Sequence, residues 1–282
     1  MTAQPSQAHP FALRSHKNIE PEGFVMDSNQ IRKAADMILN AGRIVVFTGA
    51  GISTESGIPD FRSPGGIWSQ YNQDDLTYQK FMSAERYRKL YWEYDKARYP
   101  AMRDAKPNDA HLAVVEIEKM GKLKALITQN IDGLHYRAGS NPHRIYELHG
   151  TVIEVTCLKC HERWPREEIT DRMERENIDV PYCDKCGGPL KCATIAFGQS
   201  LPSDVLEAAI DHAQQCDLFL TIGSSLVVQP ASMLPLQAKR AGAELVLVNL
   251  STTPYDAMMD LIVRGTAAKV MSDIMGAISE KT

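Results

Sequence analysis

Four cysteines occur as two pairs, Cys157-Leu158-Lys159-Cys160 and Cys183-Asp184-Lys185-Cys186, with 22 residues between them. Two C-x2-C turns of this kind can bring four thiolates to the corners of a tetrahedron, which Zn2+ accepts at about 2.3 Å per sulfur. The pair Gly187-Gly188 supplies the tight backbone needed after such a turn. Two separate redox pairs are the competing reading. Four sulfurs leave no coordination position for water, so the zinc expected here is structural, not catalytic. Cys192 and Cys216 have no matching partner and read as small core residues.

A second group of residues points to a phosphate-bearing ligand. The apolar run Arg43–Thr48 stops at Gly49-Ala50-Gly51 and continues as Ile52-Ser53-Thr54-Glu55-Ser56-Gly57-Ile58-Pro59-Asp60-Phe61-Arg62. A strand, a Gly-x-Gly turn and a helix start would aim backbone N–H groups and a helix dipole at an anion. The usual dehydrogenase fingerprint needs a third Gly or Ala at position 54 and an acidic residue about 20 positions on. Position 54 is Thr, and no acidic strand end stands at that distance, which disfavours common hydride-transfer chemistry. Further polar sets end other apolar runs: Gln129-Asn130-Ile131-Asp132, Gly223-Ser224-Ser225 and Asn249-Leu250-Ser251. Any one of them could be an ordinary loop cap. His149, after Ile145-Tyr146-Glu147-Leu148, adds an imidazole suited to taking a proton from a hydroxyl. Its close rival is His135.

These residues need a scaffold, and the hydrophobic pattern supplies one. Asp27 and Ser28 can cap a helix carrying Ile31, Ala34, Ala35, Ile38 and Leu39 on one face. Helices over about Ala110–Met120, Ser203–Cys216 and Ala231–Ala241 precede the strand-sized runs Leu123–Thr128, Leu218–Ile222 and Glu244–Asn249, and an amphipathic helix closes the chain near Ala267–Ile278. This alternation predicts an α/β fold: a doubly wound, mostly parallel, Rossmann-like sheet with helices on both faces. Ligands of such sheets bind at the carboxyl ends of the strands, where all four polar sets fall.

Two stretches break the alternation. Residues 62–106, with helical spacing only over Glu85–Met102, and residues 151–196, with the four-cysteine zinc-binding set, read as insertions that together form a smaller module. The remaining segments, 27–61, 107–150 and 197–282, would make the main domain, and 1–26 a flexible, solvated tail.

Composition narrows the class further. Apolar residues are 44% and charged residues 23% of 282, ordinary for a chain with a real core. The net charge is −4 with no basic run, so no nucleic acid is expected as partner. No apolar stretch approaches the roughly 20 residues of a membrane span, and the N-terminus lacks a secretory apolar region. Six cysteines are too few for a disulfide scaffold. The expected location is cytoplasmic.

Read in order, GAGISTESGIPDFRSPGGIW, TQNIDGLH, ELHG, the paired C-x2-C turns, FGQ, GSSLVVQP and VNL closely resemble the sirtuin family of NAD-dependent protein lysine deacylases, in its bacterial-type form. The match runs over residues 28–280. The resemblance implies NAD as co-substrate, one structural zinc and acylated-lysine proteins or peptides as partners, and adds that residues 62–106 include the cofactor loop. It assigns His149 as general base, with Asn130 and Asp132 also catalytic. The cofactor would meet Gly49, Ala50, Gly51, Asp60, Phe61, Arg62, Trp68, Gln129, Asn130, Ile131, Asp132, Gly223, Ser224, Ser225, Asn249, Leu250, Ser251 and Ala267. The substrate would meet Phe61, Ile195, Phe197, Gly198, Val227 and Val228, its backbone clasped as an added strand.

The chemistry so implied is attack of the acyl oxygen on the anomeric carbon of the nicotinamide ribose, with loss of nicotinamide. A ribose hydroxyl deprotonated by His149 then takes over the acyl carbon, and hydrolysis gives free lysine and O-acyl-ADP-ribose. A mono-ADP-ribosyltransferase and a deacylase of longer acyl groups are the alternatives. A non-catalytic NAD sensor would show erosion of Asn130, Asp132 or His149, and none is eroded.

The chain departs from the family pattern at Lys191-Cys192, where many relatives have Arg-Pro, and at Gln199, where many have Glu. Relatives that remove acidic acyl groups carry a Tyr-x-x-Arg pair; here the positions are Asp95 and Arg98. A carboxylate at 95 is expected to repel an acidic acyl group, and Arg98 to be a solvated helix residue. Relatives of that kind also tend to carry Thr where this chain has Asp60. Neutral acyl groups, acetyl first, are therefore expected.

Overall fold

A computed structural model describes residues 27–61, 66–69 and 71–281. The expectations for Arg62 and for the N-terminal tail 1–26 fall outside these residues.

The large sheet contains six parallel strands in the order β3-β2-β1-β7-β8-β9: Ile145–Glu147, Leu123–Thr128, Ile44–Thr48, Leu218–Ile222, Glu244–Asn249 and Leu261–Arg264. Both faces are covered, which is why these strands read as continuous apolar runs and not as alternating ones. Ile44 and Val46 of β1 face a core shared with α1 (Ser28–Asn40), α4 (Asp109–Lys119) and α9 (Ala267–Ser279). Val45 and Phe47 face the other core, with α7 (Ser203–Gln215) and α8 (Leu234–Arg240). Complete burial of a side chain such as Phe47 stabilises by roughly 1.5–3 kcal/mol, and both layers repeat this along their length.

The helices begin where the sequence offers caps. The Asp27 carboxylate accepts the Asn29 N–H at 2.9 Å at the start of α1, and Asn108 forms a reciprocal cap with His111 on α4. One expectation needs correction, and one strand lies outside what the pattern foresees. The helix expected over Ala231–Ala241 is a 3-10 turn, Ala231–Met233, followed by α8, because Pro235 can stand only in a helix's first turn. The sequence pattern does not predict the parallel strand β9, because Leu261–Arg264 is too short to register as a periodic run.

A second, antiparallel sheet has the order β5-β4-β6: Arg163–Pro165, Gly150–Cys157 and Leu190–Thr194. It packs beside α6 (Arg166–Glu176) and against α2 (Tyr78–Ser83) and α3 (Glu85–Asp104) through Phe81, Tyr91, Trp92, Tyr99, Val155, Ile169 and Leu190. α5 (Leu134–Ala138) lies between β2 and β3 in sequence. No helix among the described residues is long and apolar enough to cross a membrane.

Candidate active site

β1 pairs with β2 on one side and β7 on the other, so the chain's winding reverses there and a crevice opens at the strands' carboxyl ends. The turns after β1 and β7 touch. The Gly51 N–H donates to the Gly223 carbonyl at 2.8 Å, and the Gly49 N–H to the Ile222 carbonyl at 3.1 Å. A Cβ on Gly51 would stand 2.8 Å from the Gly223 oxygen; one on Gly223 would stand 2.3 Å from the Ile52 nitrogen. These glycines are thus required for the two backbones to approach each other. The helix start expected after the Gly-x-Gly turn, with its dipole aimed at an anion, does not grow into an α-helix. The chain instead makes two short 3-10 turns, Ala50–Ile52 and Thr54–Ser56, and both glycine amides are engaged within the protein. Polar side chains cause this: Thr54 bonds back to the Gly51 carbonyl at 3.0 Å, and Asn108 holds the Ile52 carbonyl at 2.8 Å and Ser56 Oγ at 2.9 Å.

The polar set after β2 locks onto this turn. Asn130 Nδ2 donates to the Gly49 carbonyl at 3.2 Å and to Ser53 Oγ at 3.1 Å, and Ser53 Oγ donates to Asp132 Oδ2 at 2.7 Å. The other Asp132 oxygen accepts the Leu134 N–H at 2.9 Å. Burial raises the Asp132 carboxyl above its ordinary value, although the Leu134 and Ser53 bonds pull it down. Gln129 Nε2 reaches Ser224 Oγ at 2.8 Å and so joins β2 to β7. Sequence reasoning misses Ser53 as a site residue. Its signal is position: a hydroxyl two residues beyond the second glycine of a Gly-x-Gly turn.

His149 Nδ1–H donates to the Gln129 carbonyl at 2.9 Å. That bond places the neutral ring's proton on Nδ1 and makes Nε2 the basic nitrogen. Burial lowers the imidazole pKa, opposed by the Gln129 carbonyl, so the ring remains a neutral base into mildly acidic solution. His135 is placed differently. It is buried, bonded through Nε2 to Thr48 Oγ1 at 3.0 Å, with its ring tilted against that of His111 at 5.0 Å. Burial drives its pKa far down, and it is a packed interior group.

Other predicted residues take more peripheral positions. The Asp60 carbonyl accepts the Ile67 N–H at 3.0 Å, and Trp68 lies in the 3-10 turn Ile67–Ser69. The Ile131 carbonyl accepts the Val152 N–H at 2.9 Å, and Ser225 is exposed. Asn249 Nδ2 bonds to the Ser251 carbonyl at 2.8 Å beside exposed Leu250, while Ala267 opens α9. Among the residues expected to meet substrate, the Ile195 N–H donates to the His149 carbonyl at 2.8 Å, the Phe197 carbonyl accepts the Tyr78 N–H at 2.9 Å, and the Gly198 carbonyl accepts Gln79 Nε2 at 2.8 Å. Val227 is 47% exposed, and the Val228 carbonyl accepts the Ser232 N–H.

Two expectations about acyl specificity change. Asp95 is not a free charge near a ligand: it is buried, ion-paired with Arg166, and accepts the Cys192 thiol at 3.3 Å. Its charge is matched inside the smaller region and supplies no repulsion. Arg98 is not a solvated helix residue either. Its guanidinium lies 4.7 Å over the Tyr94 ring and 5.7 Å over Phe61, beside an apolar cavity lined by Ile58, Pro59, Ile67 and Met102.

The four cysteines meet as the spacing predicts. Sulfurs of Cys157, Cys160, Cys183 and Cys186 all lie within 4.8 Å of one another. The pairs Cys157–Cys186 and Cys160–Cys183 are 3.5 and 3.7 Å apart, against an edge of about 3.8 Å for a tetrahedron of zinc–sulfur bonds. The Lys159 and Cys160 N–H groups point at Cys157 Sγ from 3.4 and 3.5 Å. A Cβ on Gly188 would strike that sulfur at 2.7 Å. The donor set fits a structural zinc ion, and any such ion would be fully ligated by this chain.

Comparison with known proteins agrees with this geometry. The family model described as Sir2 family matches residues 49–230. The chain is 42% identical to an NAD-dependent protein deacetylase of Rhodopseudomonas palustris, covering 88% of this chain and 97% of that protein. It is also 42% identical to NAD-dependent protein deacylase 2 of Archaeoglobus fulgidus, covering 88% and 95%. Among solved structures, a Sir2 enzyme superposes with a TM-score of 0.81 at 40% identity, covering 91% of this chain and all of that one. A Sir2 complex with a p53 peptide and NAD+ superposes at 0.80 and 37% identity, covering 87% and 97%. The chain belongs to the Sir2 family.

Proposed function

We propose that this protein is an NAD-dependent protein lysine deacylase acting first on acetyl-lysine, with His149 as general base. The observation that carries the assignment of the base is the Gln129 carbonyl on His149 Nδ1, which leaves Nε2 as the proton acceptor at the crevice. Relatives named as deacetylases and a Sir2 structure bound to acetylated peptide support the reaction class.

NAD supplies an activated sugar whose bond to nicotinamide breaks, and the acyl group leaves on ADP-ribose. The chain's own part is positioning and proton transfer. Phe61, Ile195, Phe197 and Val227 line the acyl-lysine path, and Gly198 with Val228 offers backbone to the peptide. The cofactor side comprises Gly49, Ala50, Gly51, Asp60, Trp68, Gln129 to Asp132, Gly223 to Ser225, Asn249 to Ser251 and Ala267. Asn130 and Asp132, held through Ser53, keep the Gly turn and the β2 end in one arrangement. An amide oxygen is a weak nucleophile, so holding it against the sugar is where such a site gains most of its rate.

Within this reading, residues 27–61, 107–150 and 197–282 form the nucleotide-binding body, and 62–106 with 151–196 form the smaller module. None of the six cysteines is in a disulfide, and four of them form the zinc-ligand set, which suits the reducing cytoplasm.

Mass spectrometry of the products after incubation with NAD and an acetyl-lysine peptide tests the assignment. One nicotinamide and one O-acetyl-ADP-ribose per freed lysine are expected. ADP-ribose transferred to protein, with no lysine freed, would establish a mono-ADP-ribosyltransferase instead.

A further inference from the structure

Lysines are almost never fully buried without a partner, and Lys191 is 1% exposed. Its partners are not carboxylates. The ammonium donates to the Thr194 carbonyl at 2.6 Å, to Thr194 Oγ1 at 2.9 Å and to the Cys192 carbonyl at 3.2 Å. Three N–H donors thus meet three oxygens, and the Tyr91 ring lies 5.2 Å beneath the nitrogen. Taking an ammonium out of water costs several kcal/mol, a heavy cost for a group that only closes a strand.

The location of the bonds suggests why they are kept. β6 pairs regularly with β4 from Leu190 to Cys192, opposite Cys157 to Val155. The next matched pair is Thr194 with Gly150, so β4 advances five residues while β6 advances two. At this irregularity the ladder cannot fix the strand by itself, and the Lys191 ammonium spans it from one carbonyl to the next. Immediately beyond Thr194 comes Ile195, bonded to the His149 carbonyl, and then Phe197 and Gly198. The fastened strand end is the entrance to the segment assigned to the acyl-lysine substrate.

We propose that Lys191 is a positioning residue for substrate binding, its buried ammonium setting the path of residues 195–198 and so the affinity of the cleft for acyl-lysine peptide. The inference rests on the deacylase reading for the identity of the peptide, but not for the geometry. Neutralisation of the amine removes one of three donors, so peptide affinity falls as pH rises. Burial holds the Lys191 pKa down to about 8, and Asp95 and Cys192 oppose that shift. The other groups facing it, Arg166 and Tyr91, stay in one protonation state across that range, as does Cys192, pushed up to about 12 by burial.

The test compares wild type with Lys191→Met and Lys191→Arg, using a fluorescent acetyl-lysine peptide for direct binding, then steady-state kinetics. Lys191→Met is expected to weaken peptide binding and raise peptide KM about tenfold, with kcat and the KM for NAD within about twofold. Lys191→Arg, which keeps a permanent cation, should restore most of the affinity and abolish the rise of peptide KM between pH 7 and 9. Peptide affinity within about twofold of wild type in Lys191→Met would overturn the inference, as would equal losses for NAD and peptide that arginine does not rescue. Should Lys191→Met fail to fold, the pH profile of Lys191→Arg decides alone: a slope unchanged from wild type overturns it. A wild type that binds peptide but never releases nicotinamide contradicts the deacylase reading, and the binding measurements still judge Lys191.

Discussion

The parallel sheet and the smaller region around the cysteines are stabilised in opposite ways. In the sheet, β1, β2, β7 and β8 bury apolar side chains with few interruptions, Lys124 and Thr221 among them, and most of the polar side chains stand at the strand ends. In the smaller region, charges lie inside: Asp95 pairs with Arg166, Arg166 Nη1 reaches Cys192 Sγ at 2.7 Å, and Lys191 caps carbonyls. The three-stranded sheet has a core of its own with α2, α3 and α6, smaller than those of the large sheet, and four sulfurs close its far end. The difference shows how one chain can hold an apolar parallel sheet beside a smaller region whose shape depends on a few polar bonds.

Removing metal is the harshest way to probe that contrast. Chelation, or Cys183→Ser, should unfold the smaller region and abolish deacylation while much of the sheet's helical circular dichroism remains, because zinc-cluster binding energy is folding energy on the order of 10 kcal/mol. A chelated protein with unchanged melting and activity would break the comparison. Asp95→Asn comes next. It leaves the Arg166 cation buried without its carboxylate and should cost about 3–5 kcal/mol in denaturant unfolding, with the loss confined to the smaller region.

A gentler probe lies at the seam, two residues before His149. Burial raises the Glu147 carboxyl to about 7, although the Tyr136 hydrogen bond opposes the shift. A folded-state value above the unfolded one means a contribution present below about pH 4.5 and lost as pH rises through 7. Glu147→Gln should therefore match wild type near pH 4 and exceed it by about 1–3 kcal/mol near pH 8. Equal stability differences at both pH values would remove this account of Glu147.

The sequence is legible in the same uneven way. Continuous apolar runs announce β1, β2, β7 and β8 within a residue, since burial on both faces leaves no other composition. The C-x2-C spacing announces the sulfur cluster. Interactions between segments far apart in the chain cannot be read this way. Asp95 and Arg166 are 71 positions apart, and nothing in either segment foretells their pairing. The Gly-x-Gly turn illustrates the reverse error. Its glycines suggest a bare anion cradle, yet they admit the Gly223 backbone, and Thr54 with Asn108 bends the expected helix into short turns. His149 can be singled out by its place at a strand end, but its tautomer comes only from the Gln129 carbonyl.

The base assignment is tested most directly by separating the two halves of the reaction in His149→Tyr. Labelled nicotinamide exchange into NAD, in the presence of acetyl-lysine peptide, reports displacement at the sugar; freed lysine reports the later proton-dependent transfer. The account predicts that exchange persists while lysine release falls by about 10²–10⁴-fold. Lysine release at the wild-type rate in that variant would contradict it.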